Sequence, residues 1–202
     1  MTKVVLATGN VGKLHELQTM LADSAIQVLP QNALGVHEIE ENGASFTENA
    51  LLKARNAARQ TGLPAIADDS GLEVDALGGA PGVYSARYAG VGASDADNLA
   101  KLLQELRSIS ADKRTARFRC IIAYVNQADD PGPLICEGLW EGHILDTPRG
   151  RNGFGYDPVF LVPGLNRSSA ELTPLEKNRL SHRGQALRKL VQQLANMGSR
   201  FC

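Results

Sequence analysis

Cysteine is scarce: Cys120, Cys136 and Cys202 are the only three in 202 residues, with no CxxC pair and no histidine at zinc spacing. An odd, scattered set of this kind excludes a disulfide scaffold and a structural zinc site, and fits a reducing compartment. A charge excess is missing too, because 21 Lys+Arg against 22 Asp+Glu leave a formal charge of −1. Without a global basic field the chain cannot hold a long polyanion, so nucleic acid is not expected as a partner and any phosphate binding must be local. Long apolar runs are absent as well. The run at residues 4–7 is too short for a signal-peptide core, and no later stretch approaches the roughly 20 apolar residues of a membrane span. These absences read as a cytoplasmic protein without a membrane partner. Proline is sparse, at 9 residues, and 43% apolar with 21% charged residues describes a chain with material for a substantial core.

Glycine, by contrast, is abundant and clustered, with 20 residues against the roughly 7% of an average chain. Residues 4–7 read as a buried strand, and a helix from Lys13 carries Leu14, Leu17 and Leu21 on one stripe. Ser45 and Glu48 have capping-box spacing ahead of a helix over 49–60 whose Ala50, Ala54, Ala57 and Ala58 form a small-residue face, ended by Gly62 and Pro64. A short strand over 65–67 is predicted to stop at Asp68-Asp69-Ser70-Gly71, with 72–74 as a possible resumption. Residues 95–109 read as a helix with Leu99, Leu102, Leu103 and Leu106 inward. Period-two alternation from Ala116 to Tyr124, a turn at Asp129-Asp130-Pro131-Gly132 and a second strand over 134–140 predict a long hairpin, hence a mixed sheet. A glycine-rich loop over 148–158, a strand over 159–162, a short helix capped by Thr173, and a last helix capped by Ser181 complete the reading, with a frayed tail at 198–202. One α/β domain is expected over 1–202.

Chemistry concentrates in a few places. Thr8-Gly9-Asn10-Val11-Gly12-Lys13 lies between strand and helix, where unpaired amides and the positive dipole end suit a phosphate, although the Walker A spacing is absent and an ordinary βα turn would look the same. Glu38, Glu40 and Glu41 precede a helix and read mostly as a solvated acidic turn. Asp68 and Asp69 end a strand, where two acids without partners would be costly. An acid from each of two segments suffices for Mg²⁺ completed by phosphates and water, and a spare carboxylate can take a proton from an attacking water. In 150–158, Phe154 between glycines offers a ring face for a base. Lys177 and Ser181-His182-Arg183 add cations and a titratable donor.

These motifs, with Glu48-Asn49-Ala50, Gly78-Gly79-Ala80-Pro81-Gly82, Ser85-Ala86-Arg87 and Gly153-Phe154-Gly155-Tyr156-Asp157-Pro158, occur in the same order in the inosine triphosphate pyrophosphatase family, also called the dITP/XTP pyrophosphatases, which the chain resembles from about Val4 to Leu194. The bacterial branch is the nearer likeness. Arg167-Ser168 stands where many relatives have Lys-Thr. The resemblance implies hydrolysis of ITP, dITP or XTP between the α and β phosphates with Mg²⁺, as a cleansing of the nucleotide pool. It also implies a homodimer and an elongated mixed sheet with flanking helices, in two lobes around a central substrate cleft.

Carried over by motif, Thr8, Gly9, Asn10, Val11, Gly12 and Lys13 line the triphosphate. Glu41 or its neighbour Glu40, together with Asp69, holds the metal. Asp69 or Asp68 activates water, and Ser70 touches substrate. Phe154, Gly155, Tyr156, Asp157, Lys177, His182 and Arg183 surround base and sugar. A C6 oxygen would satisfy Arg183 and His182 donors that the amino group of adenine cannot. A Maf-type pyrophosphatase and a non-catalytic nucleotide-binding regulator are the rival readings.

Overall fold

The computed structural model describes residues 2–22 and 26–198. Its elements are β1 (Thr2–Leu6), α1 (Val11–Leu21), β2 (Ile26–Pro30), α2 (Phe46–Thr61), β3 (Ala65–Val74), α3 (Asp95–Glu105), β4 (Thr115–Val125), β5 (Leu134–Ile144), β6 (Phe160–Val162), β7 (Arg167–Ser168), α4 (Pro174–Leu180) and α5 (His182–Gly198). The strands form one seven-stranded sheet in the order β2-β1-β3-β4-β5-β6-β7. It is mixed: β1 runs parallel to β2 and β3, while β6 is antiparallel to β5 and β7.

Local sequence explains most elements. Val4, Val5 and Leu6 are all buried, the pattern of a parallel strand covered on both faces. Asn10 caps α1 by accepting from the Lys13 amide. Ser45 caps α2 by accepting from Glu48 N, Gly62 ends the helix at φ 69°, and the expected alanine face is buried, with Ala50, Ala54 and Ala57 at 0% exposure.

Three expectations change. Strand β2 went unanticipated, because its five residues carry neither alternation nor a long apolar run; pairing of Thr2 with Ile26 through Leu6 with Pro30 makes it a strand. Helix α3 stops at Glu105, short of Ile109. Strand β3 does not break at Asp68 but continues to Val74, because both acids are paired by side chains of other elements and so can stay in a buried strand. Of the frayed tail expected over 198–202, Gly198 is the last residue of α5 and the rest lies outside the described residues.

The chain divides into two compact units, the first Met1–Asp69, Cys120–Gly138 and Arg183–Cys202, the second Ser70–Arg119 and Leu139–His182. Unit 1 has a largely aliphatic core that includes Val4, Leu6, Leu17, Ile66, Ile122 and Leu187. Unit 2 has an aromatic one, in which Phe118 and Phe160 ring centroids lie 4.5 Å apart and Trp140 and Phe160 5.2 Å apart.

Candidate active site

In unit 1 the end of β1 delivers the Thr8–Lys13 loop. Thr8 Oγ1 accepts from Asn10 N at 3.2 Å and Asn10 Oδ1 from Lys13 N at 3.0 Å, so this turn is shaped by its own side chains. The Glu38 carboxylate stands so close to Gly9 that a methyl group there would collide with Glu38 Oε1, which also accepts from Gln31 at 3.0 Å.

Strand β3 brings Asp68 and Asp69 to the same region as two separate charge clusters. Lys13 Nζ lies 3.1 Å from Asp68 Oδ2 and Arg183 Nε 3.3 Å from the same oxygen, while Arg183 Nη1 pairs with Glu16. Asp68 and Arg183 are buried, at 0% and 2% exposure. Burial opposes the Arg183 charge, but Asp68 and Glu16 outweigh it and raise its pKa above the ordinary value.

The second cluster centres on Lys53, whose Nζ lies 2.9 Å from Glu41 Oε1 and 3.4 Å from Asp69 Oδ1. Asn49 Nδ2 donates to the other Asp69 oxygen at 3.2 Å. Burial raises the Asp69 pKa above the usual carboxylate value, against the pull of Lys53 and Lys13 in the other direction. Burial would lower that of Lys53, but Asp69, Asp68 and Glu41 leave it raised. An ammonium bridging two carboxylates marks a place where a cation is wanted. Among the described residues no set of three or more His, Cys, Asp or Glu side chains is arranged to hold a metal. Two acids nevertheless fit Mg²⁺, which characteristically takes one or two carboxylates and fills its shell with phosphates and water.

Unit 2 holds the aromatic loop. Asp157, 2% exposed, accepts from Lys177 Nζ at 2.7 Å, Phe154 N at 2.9 Å and Ser169 Oγ at 2.8 Å. Lys177 Nζ also sits 4.9 Å from the Phe154 ring centroid. Gly155 N donates to Asp95 at 2.8 Å and Tyr156 Oη to the Ser85 carbonyl at 2.8 Å, so the loop is tethered at the glycine between its two aromatic residues and at the second of them. The His182 ring stacks on Phe118 with centroids 4.8 Å apart and planes 13° apart. Ser70 is half-buried in β3.

The structure thus gathers Lys13, Asp68, Asp69, Glu41 and Arg183 in unit 1, with Thr8, Gly9, Asn10, Val11 and Gly12 leading into Lys13. It gathers Phe154, Gly155, Tyr156, Asp157 and Lys177 in unit 2, with His182 in the aromatic stack. Glu40 is exposed and joins none of the described contacts of these clusters. Arg183 directs its guanidinium to Asp68 and Glu16. Sequence reading missed Lys53, Glu16, Asn49 and Ser169, whose partners Glu41, Asp69, Arg183 and Asp157 lie on other segments of the chain.

Residues 4–193 match the Ham1 family. The chain is 62% identical over 192 residues to a dITP/XTP pyrophosphatase of Methylococcus capsulatus, covering 95% of this chain and 96% of the relative. A solved HAM1 protein from Coxiella burnetii superposes with TM-score 0.90 at 53% identity, covering 97% of this chain and 100% of that one. The Staphylococcus aureus Ham1 protein superposes with TM-score 0.85 at 39% identity, covering 97% and 100%. A sequence match of this extent, with the same fold in two solved structures, decides against the Maf-type alternative: the chain belongs to the Ham1 family.

Proposed function

We infer that the chain has the dITP/XTP pyrophosphatase activity of its relatives, hydrolysing noncanonical purine nucleoside triphosphates at the α–β phosphoanhydride to a monophosphate and pyrophosphate. The observation that carries the chemical reading is Lys53 held between Asp69 and Glu41: a cation-seeking pair of acids in the unit that also holds the Thr8–Lys13 loop. The unit 1 residues take the triphosphate. Asp69 and Glu41 would hold Mg²⁺, with Glu38 beside Gly9 as a further acid at the loop. Bound there, the metal would neutralise phosphate charge.

The other steps belong to this chain's own side chains. Asp69 accepts the proton of the attacking water at a carboxylate oxygen. Lys13 and Lys53 stabilise the charge that develops on the leaving pyrophosphate. Asp68, fully buried between Lys13 and Arg183, positions Lys13. In unit 2, Phe154 stacks on the base, and Lys177, oriented by Asp157, donates to its C6 oxygen, assisted by His182. Adenine would set its amino group against these donors, and a site requiring such a bond rejects the wrong partner by about 10⁴. Ser70 contacts the substrate from β3. Arg183 acts in this reading by holding Asp68 and Glu16.

Incubation with ITP, dITP, XTP and ATP in the presence of Mg²⁺ tests the proposal. The first three should release pyrophosphate and ATP almost none. Release of orthophosphate instead, or equal turnover of ATP, overturns it. We further propose a cytoplasmic homodimer, as the family resemblance implies; light scattering should return twice the chain mass. No described helix is long and apolar enough to cross a membrane.

A further inference from the structure

Asn49 is buried at 0% exposure in the second turn of α2, where a polar side chain without partners would be costly. Both ends of its amide are used. Its Oδ1 accepts from Gly43 N at 2.8 Å, and its Nδ2 donates to Asp69 Oδ2 at 3.2 Å. The orientation of the amide is fixed by these partners, since a backbone N–H needs an acceptor and a carboxylate a donor. Gly43 comes so near that a Cβ there would lie 2.6 Å from Asn49 Oδ1 and 2.8 Å from Glu48 Cβ. Glu41 is two residues before Gly43. One side chain therefore ties the segment carrying Glu41 to the carboxylate of Asp69, and leaves the other Asp69 oxygen toward the cation at Lys53.

We propose that Asn49 is a positioning residue for the metal pair: it fixes the rotation of the Asp69 carboxylate and the approach of the Glu41 segment, so that both acids meet one divalent cation. The inference rests on the assignment of Asp69 and Glu41 as metal ligands. Hydrogen-bond partners behind metal ligands typically change affinity by 10- to 100-fold when removed.

The test uses Mn²⁺, which suits the same oxygen ligands as Mg²⁺, titrated into the whole protein without nucleotide and followed by electron paramagnetic resonance. Asn49→Ala should raise the Mn²⁺ dissociation constant at least about tenfold. Gly43→Ala, which drives the segment off the Asn49 amide without removing it, should shift the constant the same way, and it serves as the measurement if Asn49→Ala does not fold. Ala54→Gly, on the buried face of the same helix, is the control for loosening alone and should leave the constant within about twofold while lowering thermal stability. If Asn49→Ala and Gly43→Ala bind Mn²⁺ as the control does, Asn49 is merely structural and the proposal is overturned. If the wild-type protein itself binds no Mn²⁺, the ligand assignment fails and takes the proposal with it.

Discussion

Unit 1 and unit 2 each bury an ammonium against a carboxylate, but they surround the pair differently. In unit 1 Lys13 pairs with Asp68, which Arg183 and through it Glu16 also engage, and Lys53 pairs with Glu41 and Asp69, two neighbouring clusters of several charges in a unit with an aliphatic core. In unit 2 the Lys177–Asp157 pair lies under an aromatic ring, beside a core that includes Phe118, Trp140 and Phe160. Several charges of both signs gathered in one unit suit phosphates and a metal, whose charge is large. A single locked pair beside a ring suits a flat base, where one donor in a fixed direction separates an oxygen from an amino group. The proposed roles of the two lysine clusters rest on what surrounds each lysine, not on the lysines themselves.

Four measurements would break or sharpen that contrast. The largest effect is expected at Asp69. Asp69→Asn should lower kcat on ITP by about 10³-fold or more, as loss of a general base does, with an unfolding temperature within about 4 °C of wild type; near-normal turnover would refute the role of unit 1. Next is Arg183→Met, which strips a cation from two acids, one of them fully buried, and should cost about 3–5 kcal/mol in urea unfolding. It should depress ITP and ATP turnover equally. A selective loss on ITP would show that Arg183 reads the base and belongs functionally with the aromatic loop.

A smaller change is expected in unit 2. Phe154→Ala should raise KM for ITP about 5- to 100-fold with kcat nearly constant, the signature of lost stacking that is equal in ground and transition states. The smallest concerns Glu176 at the start of α4, whose hydrogen bonds from Arg167 and then from Thr173 lower its pKa from 4.5 to about 2. A depressed carboxylate stabilises the fold above its unfolded value, and the contribution is lost as pH falls through the folded one. The gap in unfolding temperature between wild type and Glu176→Gln should therefore hold above pH 4.5 and close toward pH 2. A constant gap would remove the ionic account of this cap.

Much was legible without coordinates, for identifiable reasons. Capping signals are local, so Ser45 and Thr173 announce their helices within three residues. The alanine face of α2 is a periodicity and needs no neighbour to be seen. Lys53 was not legible as a site residue, because a lysine in the middle of a helix reads as solvated until Asp69 and Glu41 arrive from elsewhere in the chain. Strand β3 was cut short for the same reason, as acids end a strand unless something remote pairs them. The pairing of Arg183 with Glu16 and Asp68 was not legible, because nothing in its neighbourhood along the chain reveals either acid, Asp68 being 115 residues away in sequence.

What the sequence determined alone was the family, the α/β class and most helices with their caps, and it named the loops and acids proposed to carry the chemistry, all of which rest on composition, short spacing and ordered motifs. What only the tertiary structure decided was which charge meets which: that Lys53 bridges Asp69 and Glu41, that Arg183 serves two acids, that Asn49 ties Gly43 to Asp69 and that Asp157 locks Lys177. The physical reason is range. Backbone preferences act over a few residues and leave their mark in order, whereas the energy of a buried charge depends on its distance from partners that only folding brings near.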